Sequence, residues 1–265
     1  MNIWIEKSIE LANQRDYLDQ LFKVYPMANN LKRELTESTI EELNRSFEEM
    51  DNEKLITLLL DQELFPIKDS YVAYLRRDKT AIKRNPRTID RLAGMVYEMG
   101  VEETIFNMTL PKETNRQIGP LFSNWLKKGS IGVQTTNNPK KFLEFEGNII
   151  FEGGDNAMLE LAKNHLGYQH NKGLDFIAKF DEKYIIGEAK FLTDFGGHQN
   201  AQLADALNVI RSEFKDIGKE VIKIAILDGV LYIPNKGKMY NQLLEAEDDE
   251  VIISALLLRD FLYSL

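Results

Sequence analysis

Apolar and polar positions in the second half of the chain predict strands and helices in alternation. Two β-branched and aromatic runs, 174–180 and 183–192, lie on either side of Asp181-Glu182 and predict a β-hairpin with a two-residue turn. A helix that begins with Asp155 as its N-cap is predicted before the hairpin, and another is predicted over about 199–214.

Three further apolar runs after residue 220 complete this pattern. They predict strands at VIKIAIL, VLYIP and VIISA, with a turn at Asp228-Gly229 between the first two and an amphipathic segment, LLLRDFLYSL, at the end. The order helix, strands, helix, strand indicates an α/β (α+β) fold.

The first half of the chain has the periodicity of helices. Ser38 and Glu41 predict a capping box, Asp51 predicts the start of a further helix, and the N-terminal helices are expected to pack as a bundle or frame. The segment SIGVQTTNNPKK predicts a linker or loop, which places a boundary near residue 140. We therefore expect a helical subdomain over 1–140 and a second subdomain over 141–265, or one compact domain.

Composition excludes several classes of protein. Hydrophobic residues make up 43% of the chain, which is typical of a globular protein, and there are no cysteines, which excludes disulfides, cysteine nucleophiles and zinc fingers. Neither an apolar run of membrane-spanning length nor a signal-peptide pattern is visible, so a cytoplasmic protein without a membrane partner is expected.

Charged side chains interrupt the two apolar runs of the hairpin at Asp175, Glu188 and Lys190. Glu188 and Lys190 share a strand face because side chains alternate, and the two-residue turn places Asp175 opposite Glu188, at about 5 Å between Cβ atoms. A three-residue loop would instead place Asp175 on the other face. Buried charges need partners, so we expect these charges to meet one another and a metal ion.

The oxygen atoms of these side chains determine which metal ion the cluster would bind. Two carboxylates and a backbone carbonyl suit Mg²⁺, with Mn²⁺ as a substitute, and a neighbouring ammonium can orient water and stabilise charge on a phosphate. The alternative is an ordinary cross-strand Glu–Lys ion pair, because the E-x-K pattern is short.

Asp175, followed after twelve residues by Glu188-Ala189-Lys190 within apolar strands, resembles the PD-(D/E)xK nuclease motif, although Leu174 replaces the proline. The next residues, FLTDFGGHQNAQ, resemble those of type II restriction endonucleases. The resemblance implies a central mixed sheet flanked by helices, with Asp175, Glu188 and the Ala189 carbonyl as metal ligands and Lys190 as the catalytic lysine. It also implies Mg²⁺-dependent cleavage of double-stranded DNA to 5′-phosphate ends, a homodimer, and a cognate DNA methyltransferase encoded nearby.

Glu160 is a further candidate metal ligand, because superfamily members often carry an acid on the preceding helix. Its helical spacing sets it to one side of the apolar face formed by Met158, Leu161 and Ala162, which favours a solvated surface glutamate.

DNA contacts are expected in three segments, although the net charge of −9 argues against a general polyanion binder. Residues 68–91, here called the basic segment, hold eight basic residues against three acids. The alternative is that these charges pair with acidic N-terminal helices. The second and third segments are a polar loop before a Gly-Pro turn and the Gly-Gly loop after the hairpin. The candidate contacts are Arg76, Arg77, Lys83, Arg84, Arg87, Asn115, Arg116, Gln117, His198, Gln199 and Asn200.

Two other functions stay open from the sequence. One is a repair or recombination nuclease of the same superfamily that recognises DNA structure, and the other is a DNA-binding module without catalysis. The complete Asp175, Glu188 and Lys190 set favours an active nuclease, and the polar loops favour recognition of sequence.

Overall fold

The computed structural model of the chain describes residues 1–26, 34–110, 117–234 and 237–265. The chain divides into two compact units. The sheet unit comprises Met1–Met27 and Thr114–Leu265, and the helical unit comprises Ala28–Glu113.

Helices make up most of the regular structure. In chain order, the described residues form α1 (Ile3–Ala12), α2 (Tyr17–Val24), α3 (Glu37–Glu49), α4 (Asn52–Asp61), α5 (Ser70–Arg77), α6 (Ala81–Arg84), α7 (Pro86–Met99), α8 (Val101–Met108), α9 (Ile118–Lys127), α10 (Pro139–Glu144), α11 (Asp155–His165), α12 (Gly197–Ile210), α13 (Lys238–Leu244) and α14 (Leu258–Leu262).

One mixed sheet organises the sheet unit. Its strands, in spatial and sequence order, are β1 (Gln134–Thr136), β2 (Ile149–Phe151), β3 (Phe176–Phe180), β4 (Lys183–Leu192), β5 (Val221–Gly229) and β6 (Val251–Ile253). β3 runs antiparallel to both of its neighbours, β2 and β4, whereas β4, β5 and β6 run parallel, as do β1 and β2. The expected mixed sheet flanked by helices is therefore confirmed, with the hairpin at its centre.

Both faces of the sheet are covered, because side chains of β4 alternate between two cores. Ile185 and Ala189 pack with α2, α9 and α14 on one face. On the other face Ile186 packs with α11 and Leu192 packs with α12. Central strands buried on both faces explain the nearly continuous apolar runs in the sequence.

The turn of the hairpin is the two-residue turn that the sequence predicted. Phe180 pairs with Lys183, and Asp181 and Glu182 have φ values of 46° and 64°. Left-handed backbone at both positions is typical of the type I′ turn, whose twist matches that of the strands. The Asn148 side chain accepts a hydrogen bond from the Asp181 N–H at 3.1 Å, which helps to hold this turn.

A buried carboxylate ties other elements to the sheet. Asp228 has no exposed surface, and four groups donate hydrogen bonds to it: Tyr17 Oη (3.3 Å), Tyr25 Oη (3.0 Å), Ser254 Oγ (2.5 Å) and the Ala255 N–H (3.2 Å). Burial raises the pKa of Asp228 to about 7, although the four donors act to lower it. This network connects α2 and the chain after β6 to β5.

The prediction of a turn at Asp228-Gly229 was wrong, because β5 continues through both residues. A short 3₁₀ turn, Val230–Tyr232, replaces the predicted strand VLYIP. Gly229 has a φ of 102°, and a Cβ there would collide with the Leu192 carbonyl oxygen, so the close approach of β4 and β5 requires glycine.

Several other local expectations also need correction. Thr36, rather than Ser38, caps α3, whereas Asp51 caps α4 as expected. Asp155 lies in the first turn of α11 and makes no cap hydrogen bond. The segment that predicted a linker near residue 140 contains β1 and the start of α10.

The division into units differs from the expected boundary near residue 140. α1 and α2 belong to the sheet unit, where α2 contributes to a core with α9 and α14, so the N-terminal helices do not form one bundle. The helical unit has its own core, formed by residues such as Leu43, Leu59 and Leu92.

Candidate active site

The hairpin register brings the three charged residues together. Phe176 pairs with Gly187, and the Asp175 N–H donates to the Gly187 carbonyl oxygen at 3.0 Å, so Asp175 lies opposite Glu188. The register predicted from the sequence is thus confirmed. Asp175 comes directly before β3, and its Oδ2 also accepts a hydrogen bond from the Ala189 N–H at 2.9 Å.

Three oxygen atoms surround the ammonium of Lys190. Its Nζ lies 2.6 Å from Glu188 Oε1, 3.1 Å from Asp175 Oδ2 and 3.1 Å from the Ala189 carbonyl oxygen. These residues, here called the hairpin site, therefore present two carboxylates and one carbonyl to a single cation.

Because the hairpin site is buried, the pKa of each of its charged side chains depends on the charges of the others. Glu188 is only 4% exposed, and its pKa is raised, first by burial and then by the charge of Asp175, although Lys190 and Lys172 act to lower it. Burial alone would lower the pKa of Lys190, but Asp175 and Glu188 outweigh it, so the pKa of Lys190 is raised. Lys190 thus keeps its positive charge between the two carboxylates.

A second lysine and a tyrosine, which the sequence did not single out, lie beside Glu188. Lys172 Nζ is 3.2 Å from Glu188 Oε1 and 3.4 Å from Asp205 Oδ2 on α12. The Tyr168 hydroxyl is buried, and burial together with the charge of Glu188 raises the pKa of Tyr168 to about 12. Lys172 comes just before the Asp175 motif, but only the fold shows that its side chain turns towards Glu188.

The oxygen set of the hairpin site fits a hard divalent cation. In the described part of the chain no group of three His, Cys, Asp or Glu side chains could hold a metal, and the hairpin site offers two carboxylates and one backbone carbonyl. Oxygen ligands of this kind suit Mg²⁺ or Mn²⁺ rather than zinc. Glu160 is exposed on α11 and is not part of such a group, which favours its interpretation as a surface glutamate.

A cleft of about 660 Å³ opens beside Asp175. Ser123, Asn124 and Lys127 of α9 form one part of its lining, and Glu152 and Asp155 form another. At the start of α9, Gly119 is close enough that a Cβ there would lie 3.8 Å from Asp175 Oδ1. The hairpin site is therefore reached from a polar cleft.

The sequence model of the Tsp45I type II restriction enzyme family matches residues 2–265 of the chain. The chain belongs to this family. It is therefore a type II restriction enzyme, a site-specific deoxyribonuclease whose substrate is DNA. No curated protein and no solved structure matches the chain significantly.

Membership of the Tsp45I family makes the position of each predicted DNA contact important. After the hairpin, His198 is exposed, and its Nε2 lies 3.2 Å from Gln202 Nε2. Asn200 is half-buried and donates to the carbonyl oxygens of Phe195 and Gly196 at 2.9 and 3.0 Å. Asn200 thus holds the loop before α12, and His198 is the residue whose side chain stays open to a ligand.

Gln199 requires a correction. It is only 2% exposed, its Oε1 accepts from the Thr193 N–H at 3.3 Å, and its Nε2 donates to Thr193 Oγ1 at 3.4 Å. Gln199 therefore supports the turn between β4 and α12 from inside rather than facing DNA.

The basic segment forms α5, α6 and the first part of α7 in the helical unit. Local partners take up half of its cations: Arg76 donates to the Gln62 and Glu63 carbonyls, and Lys79, Arg84 and Arg91 pair with Asp61, Asp78 and Asp69. Within residues 34–110, Arg77, Lys83 and Arg87 are exposed and have no side-chain partner. The alternative of pairing with the acidic N-terminal helices thus holds for Lys79 with Asp61 of α4, whereas Asp78 and Asp69 belong to the basic segment itself.

The polar loop before α9 is partly outside the described residues. Asn115 and Arg116 lie outside them, whereas Gln117 directly precedes α9. Gln117 therefore lies two residues before Gly119, the residue of α9 that approaches Asp175.

No helix in the described part of the chain has the length and apolar content needed to cross a membrane.

Proposed function

We propose that this restriction enzyme hydrolyses DNA at the hairpin site with Mg²⁺, leaving 5′-phosphate and 3′-hydroxyl ends. The observation that carries the proposal is the convergence of Asp175 Oδ2, Glu188 Oε1 and the Ala189 carbonyl oxygen on one cation, the Lys190 ammonium. A site that already gathers three oxygens around a positive charge can hold a divalent cation in nearly the same place.

Each residue of the hairpin site has a distinct part in this proposal. Asp175 and Glu188 would hold the cation with their carboxylates, and Ala189 would contribute its carbonyl oxygen. Lys190 would give up its place between the carboxylates to the cation, and its ammonium would then orient the attacking water and stabilise charge on the phosphate. Asp175 is itself oriented by the Ala189 N–H, so the backbone of β4 supports both ligands.

The proposed reaction is the hydrolysis of one phosphodiester bond in each DNA strand. A bound Mg²⁺ supplies Lewis-acid stabilisation of the phosphate and lowers the pKa of bound water. The water oxygen forms a bond to phosphorus and loses a proton to solvent, the bond from phosphorus to the 3′-oxygen breaks, and the 3′-oxygen takes up a proton from solvent. Lys190 and the two carboxylates keep the reacting groups in line.

Exposed cations of the helical unit are the proposed contacts with the DNA backbone. Arg77, Lys83 and Arg87 support this role because their charges have no partner in the described part of the chain. Phosphate contacts of this kind position a protein on DNA without reading its sequence. His198 and the segment around Asn115, Arg116 and Gln117 are the proposed contacts near the hairpin site.

A homodimer is proposed as the cleaving form. One hairpin site per chain cuts one strand, and a two-fold pair of chains presents two such sites to a symmetric duplex. A DNA methyltransferase that protects the same DNA sequence is the expected companion enzyme, encoded nearby rather than bound to this chain.

The metal requirement is tested by digesting a DNA of known sequence with Mg²⁺, with Mn²⁺ and with EDTA. We expect discrete fragments with either cation and none with EDTA, and end-labelling should show 5′-phosphates. Fragments formed equally well in EDTA would contradict the metal proposal, and 3′-phosphate ends would contradict the proposed bond cleavage.

The backbone contacts are tested by single changes in the basic segment. Arg77→Gln, Lys83→Gln and Arg87→Gln should each weaken DNA binding in Ca²⁺ and lower the slope of log affinity against log salt by about one. Arg45→Gln, at an exposed position of α3, is the matched control and should leave the slope unchanged. An unchanged slope in all three variants would exclude these residues as phosphate contacts.

A further inference from the structure

Lys172 is the second cation on Glu188, and neither the PD-(D/E)xK motif nor the proposed mechanism uses it. Its Nζ lies 3.2 Å from Glu188 Oε1, the same oxygen that Lys190 Nζ contacts at 2.6 Å. Two ammonium groups therefore share one carboxylate oxygen of a residue that is only 4% exposed.

The ammonium of Lys172 is buried although part of its side chain reaches solvent. Nζ is inaccessible and makes no hydrogen bond of normal geometry in the described part of the chain, whereas 31% of the side chain is exposed. Its interactions are therefore ionic: one with Glu188 and one with Asp205 Oδ2 at 3.4 Å. Such a charge acts over a short distance in a poorly hydrated place, where Coulomb interactions are strong.

The two lysines cannot have the same role during cleavage. Lys190 contacts Asp175, Glu188 and the Ala189 carbonyl, which are the proposed ligands, so it has to leave them before a divalent cation can bind. Lys172 contacts Glu188 and Asp205 but, in the described part of the chain, neither Asp175 nor the Ala189 carbonyl, so it can remain beside Glu188.

We propose that Lys172 is a positioning residue that holds the Glu188 carboxylate in place after Lys190 has moved to the attacking water. The proposal rests on the metal-dependent function proposed above. It makes Lys172 the residue that keeps Glu188 oriented throughout the reaction, and it explains why the fold directs a lysine to the least exposed charged group of the hairpin site.

Asp205 extends this role to α12. Lys172 bridges β4, through Glu188, to the middle of α12, through Asp205. The same helix begins at Gly197 and carries His198, the proposed DNA contact, at its N-terminal end. Lys172 therefore connects the metal-binding strand to the helix that is expected to meet DNA.

The test compares Lys172→Met and Lys172→Arg in the full chain, with Lys215→Met, at an exposed position of the sheet unit, as the matched control. Single-turnover cleavage in Mg²⁺ measures the reaction, and calorimetric titration with Ca²⁺ measures cation binding without turnover. DNA binding in Ca²⁺ shows that each variant is folded.

We expect Lys172→Met to cleave about 10- to 100-fold more slowly, the range found when groups that orient metal ligands are removed. Its Ca²⁺ binding should be as tight as in the unchanged protein or tighter, because a positive charge near the cation has been removed. Lys172→Arg should recover most of the rate. A purely structural role would instead weaken cleavage, cation binding and DNA binding together.

Asp205→Asn gives an independent variant at a more exposed position, where the side chain is 56% exposed. It removes one negative charge and keeps Lys172, so Ca²⁺ binding should become weaker, opposite in direction to Lys172→Met. Cleavage by Lys172→Met at the unchanged rate would overturn the role of Lys172, and so would a joint loss of all three readouts that arginine does not restore. Absence of Mg²⁺-dependent cleavage in the unchanged protein would instead overturn the proposed function.

Discussion

Glu188→Gln is expected to lower the cleavage rate by about a thousandfold or more, because charged groups at such sites contribute several kcal/mol to the transition state. Glutamine has the shape of glutamate, so it fills the same buried position on β4, but it cannot supply a negative charge to the cation. Lys190→Met should reduce cleavage to a similar extent, since it removes the ammonium that is proposed to orient water.

Site-specific DNA binding should survive in both variants, because recognition uses other residues. The measurement is single-turnover cleavage of a substrate with one recognition site, together with a binding titration in Ca²⁺. Glu160→Gln is the matched control, since the same change is made at an exposed position of α11, and it should cleave at the normal rate. Full activity of Glu188→Gln would exclude Glu188 as a metal ligand.

Asp228→Asn is expected to change how the stability of the protein depends on pH. The carboxyl group of Asp228 keeps its proton in the folded chain up to a pKa of about 7, compared with an ordinary value of 3.8 in the unfolded chain. That difference corresponds to about 4 kcal/mol, since each tenfold change in an equilibrium is worth about 1.4 kcal/mol.

The folded chain binds the proton of Asp228 more tightly than the unfolded chain does, and this determines how stability changes with pH. The stabilisation from protonated Asp228 is fully present below pH 3.8, is lost as the pH rises to about 7, and does not change further above that value. Asparagine stays neutral at every pH and can keep the polar contacts, because the hydroxyls of Tyr17, Tyr25 and Ser254 can also accept hydrogen bonds.

The free energy of unfolding of Asp228→Asn, relative to the unchanged protein, should therefore rise by about 4 kcal/mol between pH 4 and pH 8. Denaturant unfolding at a series of pH values measures it, and Asp249→Asn, at an exposed position, provides the baseline for the same chemical change. A constant difference between Asp228→Asn and the unchanged protein would show that Asp228 ionises as readily in the folded chain as in the unfolded one.

The hairpin site could be predicted because its information is local. Alternation along 183–192 and the two-residue turn together determine which side chains of two adjacent strands face each other. Asp175 and Glu188 lie close because only the twelve residues of the hairpin connect them, and no distant part of the chain is needed for that result.

Longer-range features could not be predicted in the same way. Asp-Gly is a dipeptide typical of turns, but Asp228 lies buried within β5. Its hydrogen-bond donors include Tyr17 and Tyr25, which lie more than two hundred residues earlier in the chain. Gln199 is a residue type that often contacts DNA bases, but the packing of α12 against β4 buries its side chain. Composition alone does not show which side of a helix another element will cover.

The sequence by itself determined the mixed α/β class, the register of the hairpin and the set of Asp175, Glu188 and Lys190, because strand periodicity and turn length act within about thirty residues. Only the tertiary structure decided that α1 and α2 join the sheet unit, that half of the cations of the basic segment are taken up by local partners, and that Lys172 reaches both Glu188 and Asp205. These outcomes depend on how separate helices and strands pack against one another, where burial and hydrogen bonding override the preferences of each segment.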